Sequence, residues 1–87
     1  MKVKELIFDK FILEKIYKKH NIGENDIWRL FFDDRPIFIH AKKKRYIAFG
    51  WIDKYITIVF DYETGMARVK TAYLSSRWQR RLYNRKK

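Results

Sequence analysis

The sequence predicts an α+β fold: a four-stranded antiparallel meander, an N-terminal helical hairpin covering one face of it, and a basic C-terminal helix. Three observations predict this fold. Apolar residues recur at helical spacing between residues 10 and 32. Strand-like segments separated by short turns fill residues 37–73, and short connections favour antiparallel neighbours. Arginine then dominates residues 77–86.

Length and composition predict a single domain over residues 1–87. The chain is 47% hydrophobic and 18% aromatic, which is enough to fill one small core. It has no cysteine, so disulfide and thiolate chemistry are excluded. The first residues show no apolar signal core, and no run approaches the roughly 18 apolar residues of a membrane span. We therefore expect a cytoplasmic protein with no membrane partner.

The first elements are a short strand and a helix. Residues 2–8 predict the strand, and the sheet has five strands if this segment joins the meander. Asp9 is a suitable N-cap for a helix over residues 10–20, since its carboxylate can accept the first backbone N–H groups. Asn21 tolerates the left-handed conformation that ends such a helix.

A second helix completes the hairpin. Gly23, with Asp26 three residues later, can open it, and Pro36 cannot continue it. Asp33 and Asp34 lie between the last apolar residues and this proline, and we interpret them as a helix terminator. The hairpin then provides an apolar face for one side of the sheet.

Four strands follow, with Gly65 in the last turn, where a positive φ is needed. The predicted strands are residues 37–41, 45–51, 55–62 and 66–73. Strict alternation along the last strand places Arg68, Lys70 and Ala72 on one face and Val69, Thr71 and Tyr73 on the other. Ser76 then begins a helix from residue 77 to about 86, with Gln79 completing a capping box.

The excess of positive over negative charge lies in the second part of the chain. The net charge is +11, yet residues 1–34 hold seven Lys or Arg and seven Asp or Glu, so residues 35–87 carry the whole excess. Charge gathered in this way is typical of a domain with one face that meets a polyanion. A generally basic, solvated surface is the alternative.

Several motifs, taken in order, resemble the BrnT family of bacterial toxins, whose fold is similar to that of RelE-type ribonuclease toxins. They are Phe8-Asp9, Lys19-His20-Asn21, Phe31-Phe32-Asp33-Asp34, Arg45-Tyr46-Ile47-Ala48-Phe49-Gly50, Arg68-Val69-Lys70-Thr71-Ala72-Tyr73 and Gln79-Arg80-Arg81-Leu82-Tyr83. The match runs nearly end to end. It departs from the family at Ile12, Asn21, Tyr73 and Gln79, where the family has Lys, Gly, Arg and an acid.

The resemblance implies an endoribonuclease toxin without a metal or other cofactor. It also implies a cognate antitoxin, a small protein with a DNA-binding end, and a complex that represses its own operon. Metal-free RNA cleavage needs a group that accepts the ribose 2′-hydroxyl proton and cations that hold the charge developing on the phosphate.

Four residues are candidates for this chemistry. Arg68 and Lys70 can hold the phosphate, although a solvated strand face is the alternative. His20 titrates in the useful range, but a histidine at a helix end can instead cap carbonyl groups. Tyr83 matches the family position and can donate a proton, but it can also simply pin the last helix.

Seven further cations are candidates for binding the RNA backbone: Lys43, Lys44, Arg45, Arg77, Arg80, Arg81 and Arg85. Trp51, Tyr46 and Tyr55 can stack on bases or pack within the sheet. We expect a toxin-type ribonuclease with RNA and an antitoxin as partners. The alternative is an RNA- or DNA-binding module without turnover, which the departures at Tyr73 and Gln79 favour.

Overall fold

The computed structural model describes residues 1–86 and contains five strands and three helices. In chain order these are β1 (Glu5–Ile7), α1 (Lys10–His20), α2 (Glu24–Phe32), β2 (Ile37–Lys42), β3 (Arg45–Trp51), β4 (Tyr55–Glu63), β5 (Met66–Leu74) and α3 (Arg77–Lys86). The predicted α+β fold is confirmed. None of the described helices is long and apolar enough to cross a membrane.

The five strands form one sheet in the order β1-β5-β4-β3-β2. Strands β2 to β5 pair antiparallel with their sequence neighbours, which confirms the meander. The N-terminal segment joins as a fifth strand, because β1 pairs parallel with β5 at Leu6 and Ala67. The helical hairpin therefore carries the chain from one edge of the sheet to the other.

Local signals fix both ends of α1 and the start of α2 as predicted. The Asp9 carboxylate accepts the backbone N–H of Phe11 at 2.8 Å, and Asn21 ends α1 with a φ of 56°. The Asp26 carboxylate accepts the N–H of Gly23 at 3.0 Å. These contacts occupy donors that the first turn of a helix leaves without partners.

The main core lies between the hairpin and one face of the sheet, which we call the covered face. Hydrophobic side chains from both layers are almost fully buried there: Ile16, Ile22, Ile27, Leu30, Ala48, Ile56, Ile58, Phe60, Ala67, Val69 and Ala72. Residues opposite each other in an antiparallel register share a face. The opposite side, which we call the open face, therefore carries Arg45, Asp61 and Arg68.

A β-bulge at Lys70 makes the predicted alternation along β5 wrong. Val69 pairs with Phe60 and Thr71 pairs with Val59, so Lys70 is an extra residue between them. Ala72 consequently faces the core, where it is fully buried, instead of sharing a face with Arg68. Beyond the bulge, Thr71 and Tyr73 lie on the open face, although alternation placed them opposite Arg68.

Helix α3 covers one end of the open face. Trp78 packs on Phe49 with ring centroids 5.5 Å apart, and Gln79 lies against Thr57. Phe49 and Thr57 pair with each other in the register. They lie four residues from Arg45 and Asp61 respectively, or about 13 Å along the strands. The open face is thus divided into an end under α3 and an end that carries charged side chains.

Candidate nucleic-acid interface

A row of three charged residues crosses the uncovered end of the open face. Asp61 in β4 lies opposite Arg45 in β3 on one side and opposite Arg68 in β5 on the other. Arg45 donates to the Asp61 carboxylate through Nε at 2.6 Å and through Nη2 at 3.4 Å. This two-point contact matches the guanidinium fork to the carboxylate and fixes the plane of the Arg45 side chain.

Lys70, the extra residue of the bulge, is a second cation beside the same carboxylate. Lys70 Nζ lies 3.8 Å from Asp61 Oδ2. The hydrogen bond from Arg45 is the main cause that lowers the pKa of Asp61, and it raises the pKa of Arg45 in return. This lowering favours the ionised form of Asp61, and the charged row together with Lys70 keeps a net positive charge.

Arg68 differs from the other two cations because no residue of 1–86 forms an ion pair with it. It is exposed and lines a cavity of about 250 Å³ together with Asp61, Lys44 and Met66. Its guanidinium can therefore receive an external anion in the two-point geometry that phosphate favours.

The lysine turn between β2 and β3 lies on the other side of Asp61. Lys42, Lys43, Lys44, Arg45 and Asp61 line an open cavity of about 400 Å³. His40 Nε2 donates to the Lys43 carbonyl oxygen at 2.6 Å, and Lys44 pairs with Glu63 across the sheet. The structure thus gathers the predicted binding residues Lys43, Lys44 and Arg45 beside Arg68.

His20 lies beyond Lys70, in a groove of about 270 Å³ between α1 and β5. The groove is lined by Ile12, Lys15, Ile16, Lys19, His20, Lys70 and Thr71. Its titratable groups are all basic, and Lys70 is shared between this groove and the charged row. Of the four predicted catalytic residues, Arg68 and Lys70 flank Asp61, and His20 lies on the far side of Lys70.

Tyr83 is not part of this cluster. Its ring packs on Tyr55 with centroids 6.1 Å apart, and Tyr55 is six residues from Asp61 along β4, or about 20 Å. The buried hydroxyl donates to the Asp34 carboxylate at 2.8 Å. Burial, followed by the hydrogen bond to Asp34, raises the pKa of Tyr83 to about 12. These contacts agree with the alternative that Tyr83 pins the last helix.

Asp34 has more contacts than a simple helix terminator. Besides the Tyr83 hydroxyl, its carboxylate accepts the backbone N–H of Trp51 at 3.0 Å. Gly50 permits this approach, because a Cβ there would lie 2.8 Å from the Asp34 carboxylate and 2.6 Å from Leu30. Asp34 therefore joins the end of α2, the end of β3 and α3, a role that the sequence interpretation missed.

Gln79 is the centre of a buried hydrogen-bond network under α3. Its Oε1 accepts the Thr57 hydroxyl at 2.9 Å and the Ser76 backbone N–H at 2.8 Å, and its Nε2 donates to the Tyr73 hydroxyl at 3.1 Å. The contact with Ser76 confirms the Gln79 half of the predicted capping box. An amide can satisfy all three partners because it both accepts and donates.

The four predicted binding arginines of α3 are exposed at the other end of the open face: Arg77, Arg80, Arg81 and Arg85. Of the predicted stacking residues, Tyr46 packs on Phe60 at the covered face, and Tyr55 packs on Tyr83. Trp51 is 46% exposed and is the last residue of β3, where its backbone N–H contacts Asp34. The structure does not bring these aromatic residues to the charged row.

Asp61 is the functional candidate that the sequence interpretation missed. A signal for it exists, because the short turn at Gly65 pairs Glu63 with Met66 and so brings Asp61 opposite Arg68. The bulge shifts the register only beyond this point, between Val59 and Phe60. Alternation alone already places Lys70 on the face of Arg68, as a diagonal neighbour of Asp61, whereas the bulge itself has no signal in the sequence.

Comparisons with known proteins support the fold. No protein-family model matches the chain. No curated protein matches it either. Among solved structures, the crystal structure of the Brucella abortus ribonuclease toxin BrnT is similar, with a TM-score of 0.69. The match covers 86% of this chain and 100% of that chain at 18% sequence identity. The chain therefore has a BrnT-like fold, as the sequence motifs suggested.

Proposed function

We propose that this protein is a toxin-type endoribonuclease that cleaves RNA without a metal ion and is neutralised by a cognate antitoxin. The observation that carries the proposal is the convergence of Arg45, Arg68 and Lys70 around Asp61 on the open face of a BrnT-like fold. The similar protein from Brucella abortus is a ribonuclease toxin. An RNA phosphate is the anion that best suits both the fold and the charge.

In the proposed mechanism, the ribose 2′-hydroxyl attacks the adjacent phosphorus to form a 2′,3′-cyclic phosphate, and the bond from phosphorus to the 5′-oxygen breaks. The leaving 5′-oxygen takes its proton from solvent. Arg68 binds a non-bridging phosphate oxygen, and Lys70 stabilises the negative charge that grows in the transition state. Asp61 acts as a positioning residue, because it holds Arg45 in a fixed plane beside the same phosphate.

Proton transfer is the second requirement. His20 lies in the groove that also contains Lys70, so we assign it the role of accepting the 2′-hydroxyl proton. Tyr83 is assigned no part in the chemistry, since its hydroxyl is bonded to Asp34 far from the charged row. Its proposed role is to anchor α3.

The arginines of α3 and the lysine turn supply binding without chemistry. They lie at the two ends of the open face, so one RNA strand can contact both. Such contacts act mainly through counterion release and are therefore sensitive to salt.

The proposal is tested with purified protein and end-labelled RNA in excess EDTA, with and without ribosomes. We compare the wild type with Arg68→Ala and, as a matched control on the same face, Arg80→Ala. The expected result is cleavage by the wild type, a loss of about 100-fold or more in Arg68→Ala, and weaker binding with preserved cleavage at saturating RNA in Arg80→Ala. Cleavage that requires added metal, or that Arg68→Ala retains, contradicts the mechanism.

A second candidate function is an RNA-binding module without turnover. The specific observation that favours it is Gln79, a buried amide committed to three hydrogen bonds at a position where the resembling family carries an acid. Under this candidate, the wild type binds RNA in a salt-dependent manner and leaves it intact even with ribosomes present. The same experiment therefore separates the two functions.

A further inference from the structure

Trp78 is a large aromatic residue that the proposed chemistry does not use. It is 56% exposed at the start of α3, although its ring contacts Phe49 at a centroid distance of 5.5 Å and an interplanar angle of 89°. Phe49 is almost fully buried in the sheet. The edge-to-face contact holds the indole in one orientation while much of its surface remains accessible.

The neighbours of Trp78 form a groove with mixed apolar and cationic walls. Trp78, Arg81, Leu82 and Arg85 are spaced three, four and seven residues apart, so they share one side of α3. Together they line a cavity of about 290 Å³. Helix α3 carries five cations and no acidic residue, which gives this side a strongly positive charge.

The groove lies beside the charged row on the same face of the sheet. Phe49, which supports Trp78, is four residues from Arg45 along β3, or about 13 Å. Ile47, between them on the same face, is half-buried and carries no charge. This separation corresponds to a few nucleotides of an extended strand, so one RNA molecule can reach both places.

We propose that the groove formed by Trp78, Arg81, Leu82 and Arg85 binds an unpaired base of single-stranded RNA. The indole offers a stacking surface, Leu82 an apolar wall, and the two arginines contact the flanking phosphates. A base paired within a duplex cannot present its face to the indole. The inference rests on the RNA-binding part of the proposed function and adds that the substrate is single-stranded at this point.

Trp28 shows that exposure alone does not make such a site. It is 38% exposed on α2, but its Nε1 donates to the Glu24 carboxylate at 3.2 Å and its ring stacks on Phe32. A carboxylate beside the indole repels phosphate. Trp28 is therefore the matched control for Trp78, with the same side chain in a surrounding of opposite charge.

The test measures binding to 2′-O-methyl oligoribonucleotides, which cannot be cleaved because the nucleophilic hydroxyl is blocked. We compare a single strand, a duplex and an abasic strand of equal phosphate number. In Trp78→Leu, affinity for the single strand is expected to fall by about tenfold or more, whereas affinity for the abasic strand stays within about twofold of the wild type. Trp28→Leu should change neither affinity, and Trp78→Tyr should recover most of the single-strand affinity.

The outcomes separate this inference from the proposed function. The inference is overturned if Trp78→Leu binds the single strand as tightly as the wild type does. It is equally overturned if the substitution lowers affinity for the abasic strand by the same factor as for the intact single strand. It is also overturned if the wild type prefers the duplex or binds no oligonucleotide. If single-strand binding depends on Trp78 but the protein leaves unmodified RNA intact, the inference is supported and the proposed ribonuclease activity is refuted. Thermal melting of each variant verifies that the fold is retained.

Discussion

Asp61 holds the Arg45 guanidinium through two hydrogen bonds, with its Oδ1 2.6 Å from Nε and its Oδ2 3.4 Å from Nη2. A carboxylate in the middle of a basic face lowers the attraction of that face for RNA. Its benefit is geometric, because an arginine fixed in one plane loses less freedom when it binds phosphate. Affinity and cleavage are therefore expected to respond to Asp61 in opposite directions.

The first prediction concerns Asp61→Asn. The substitution removes one negative charge and weakens the hold on Arg45 and Lys70, so the maximal rate of RNA cleavage should fall by about tenfold or more. The affinity for uncleavable RNA should stay equal or increase, because the face becomes more positive. Single-turnover kinetics at saturating RNA, together with a binding titration, measure both quantities.

Glu63→Gln provides the control for that prediction, since Glu63 pairs with Lys44 two residues further along the same strand. It makes the same charge change without touching Arg45. We expect it to raise affinity slightly and to preserve the cleavage rate. If both variants cleave like the wild type, Asp61 is an ordinary surface ion pair.

The fold could be predicted from the sequence because its signals are local. Asp9 begins α1 through its carboxylate, Asn21 ends it by adopting a left-handed backbone conformation, and Gly65 adopts the positive φ of 84° that its turn needs. Each of these residues acts within a few positions of itself. Whether β1 joins the sheet depends on pairing with β5 some sixty residues later, and the sequence left that question open.

The candidate site was predicted less completely, for two physical reasons. A β-bulge depends on how two strands accommodate each other, so alternation alone placed Ala72 on the wrong face and separated Tyr73 from Arg68. Contacts such as Tyr83 with Asp34 join residues 49 positions apart. Such a contact leaves no periodic pattern in the sequence. The sequence alone therefore allows Tyr83 either a catalytic or a packing role.

The second prediction is that Tyr83→Phe affects stability and leaves the chemistry intact. The variant loses the hydrogen bond to the Asp34 carboxylate, which should reduce the free energy of unfolding by about 1 to 2 kcal/mol. Urea denaturation measures this change, and Tyr17→Phe at a 59% exposed position should be nearly neutral. A large loss of cleavage rate in folded Tyr83→Phe would return Tyr83 to the catalytic candidates.

The third prediction is that the stabilisation by the Tyr83–Asp34 hydrogen bond is lost at alkaline pH. The pKa of Tyr83 is about 12 in the folded protein, above its ordinary value of 10.0, so the unfolded chain ionises first as pH rises. The stabilisation is therefore fully present below pH 10 and is lost as pH rises towards 12. The difference in unfolding free energy between wild type and Tyr83→Phe should shrink over this interval. A difference that stays constant from pH 8 to pH 11.5 contradicts the assignment.

The fourth prediction concerns the buried amide of Gln79. Gln79→Leu leaves the Ser76 N–H without its acceptor, at a cost of about 1 to 3 kcal/mol of unfolding free energy, whereas the Thr57 hydroxyl can still donate to the Ser75 hydroxyl at 2.7 Å. Gln79→Glu keeps that acceptor, and the Tyr73 hydroxyl can turn to donate to the new carboxylate. We therefore expect Gln79→Glu to be the more stable variant in urea denaturation. The reverse order would show that burial of the charge outweighs the retained hydrogen bonds.

The fifth prediction assigns the arginines of α3 to binding through the salt dependence of affinity. If Arg80 and Arg81 each contact one phosphate of a single strand, the double alanine variant should reduce the slope of log affinity against log salt by about 1.4. The control replaces Lys10 and Lys18, which are exposed on α1 away from the open face, and should leave the slope unchanged. Titrations between low and moderate salt give both slopes. Equal reductions in the two variants would mean that RNA responds to total charge, whereas a reduction confined to α3 means that the strand lies across this helix.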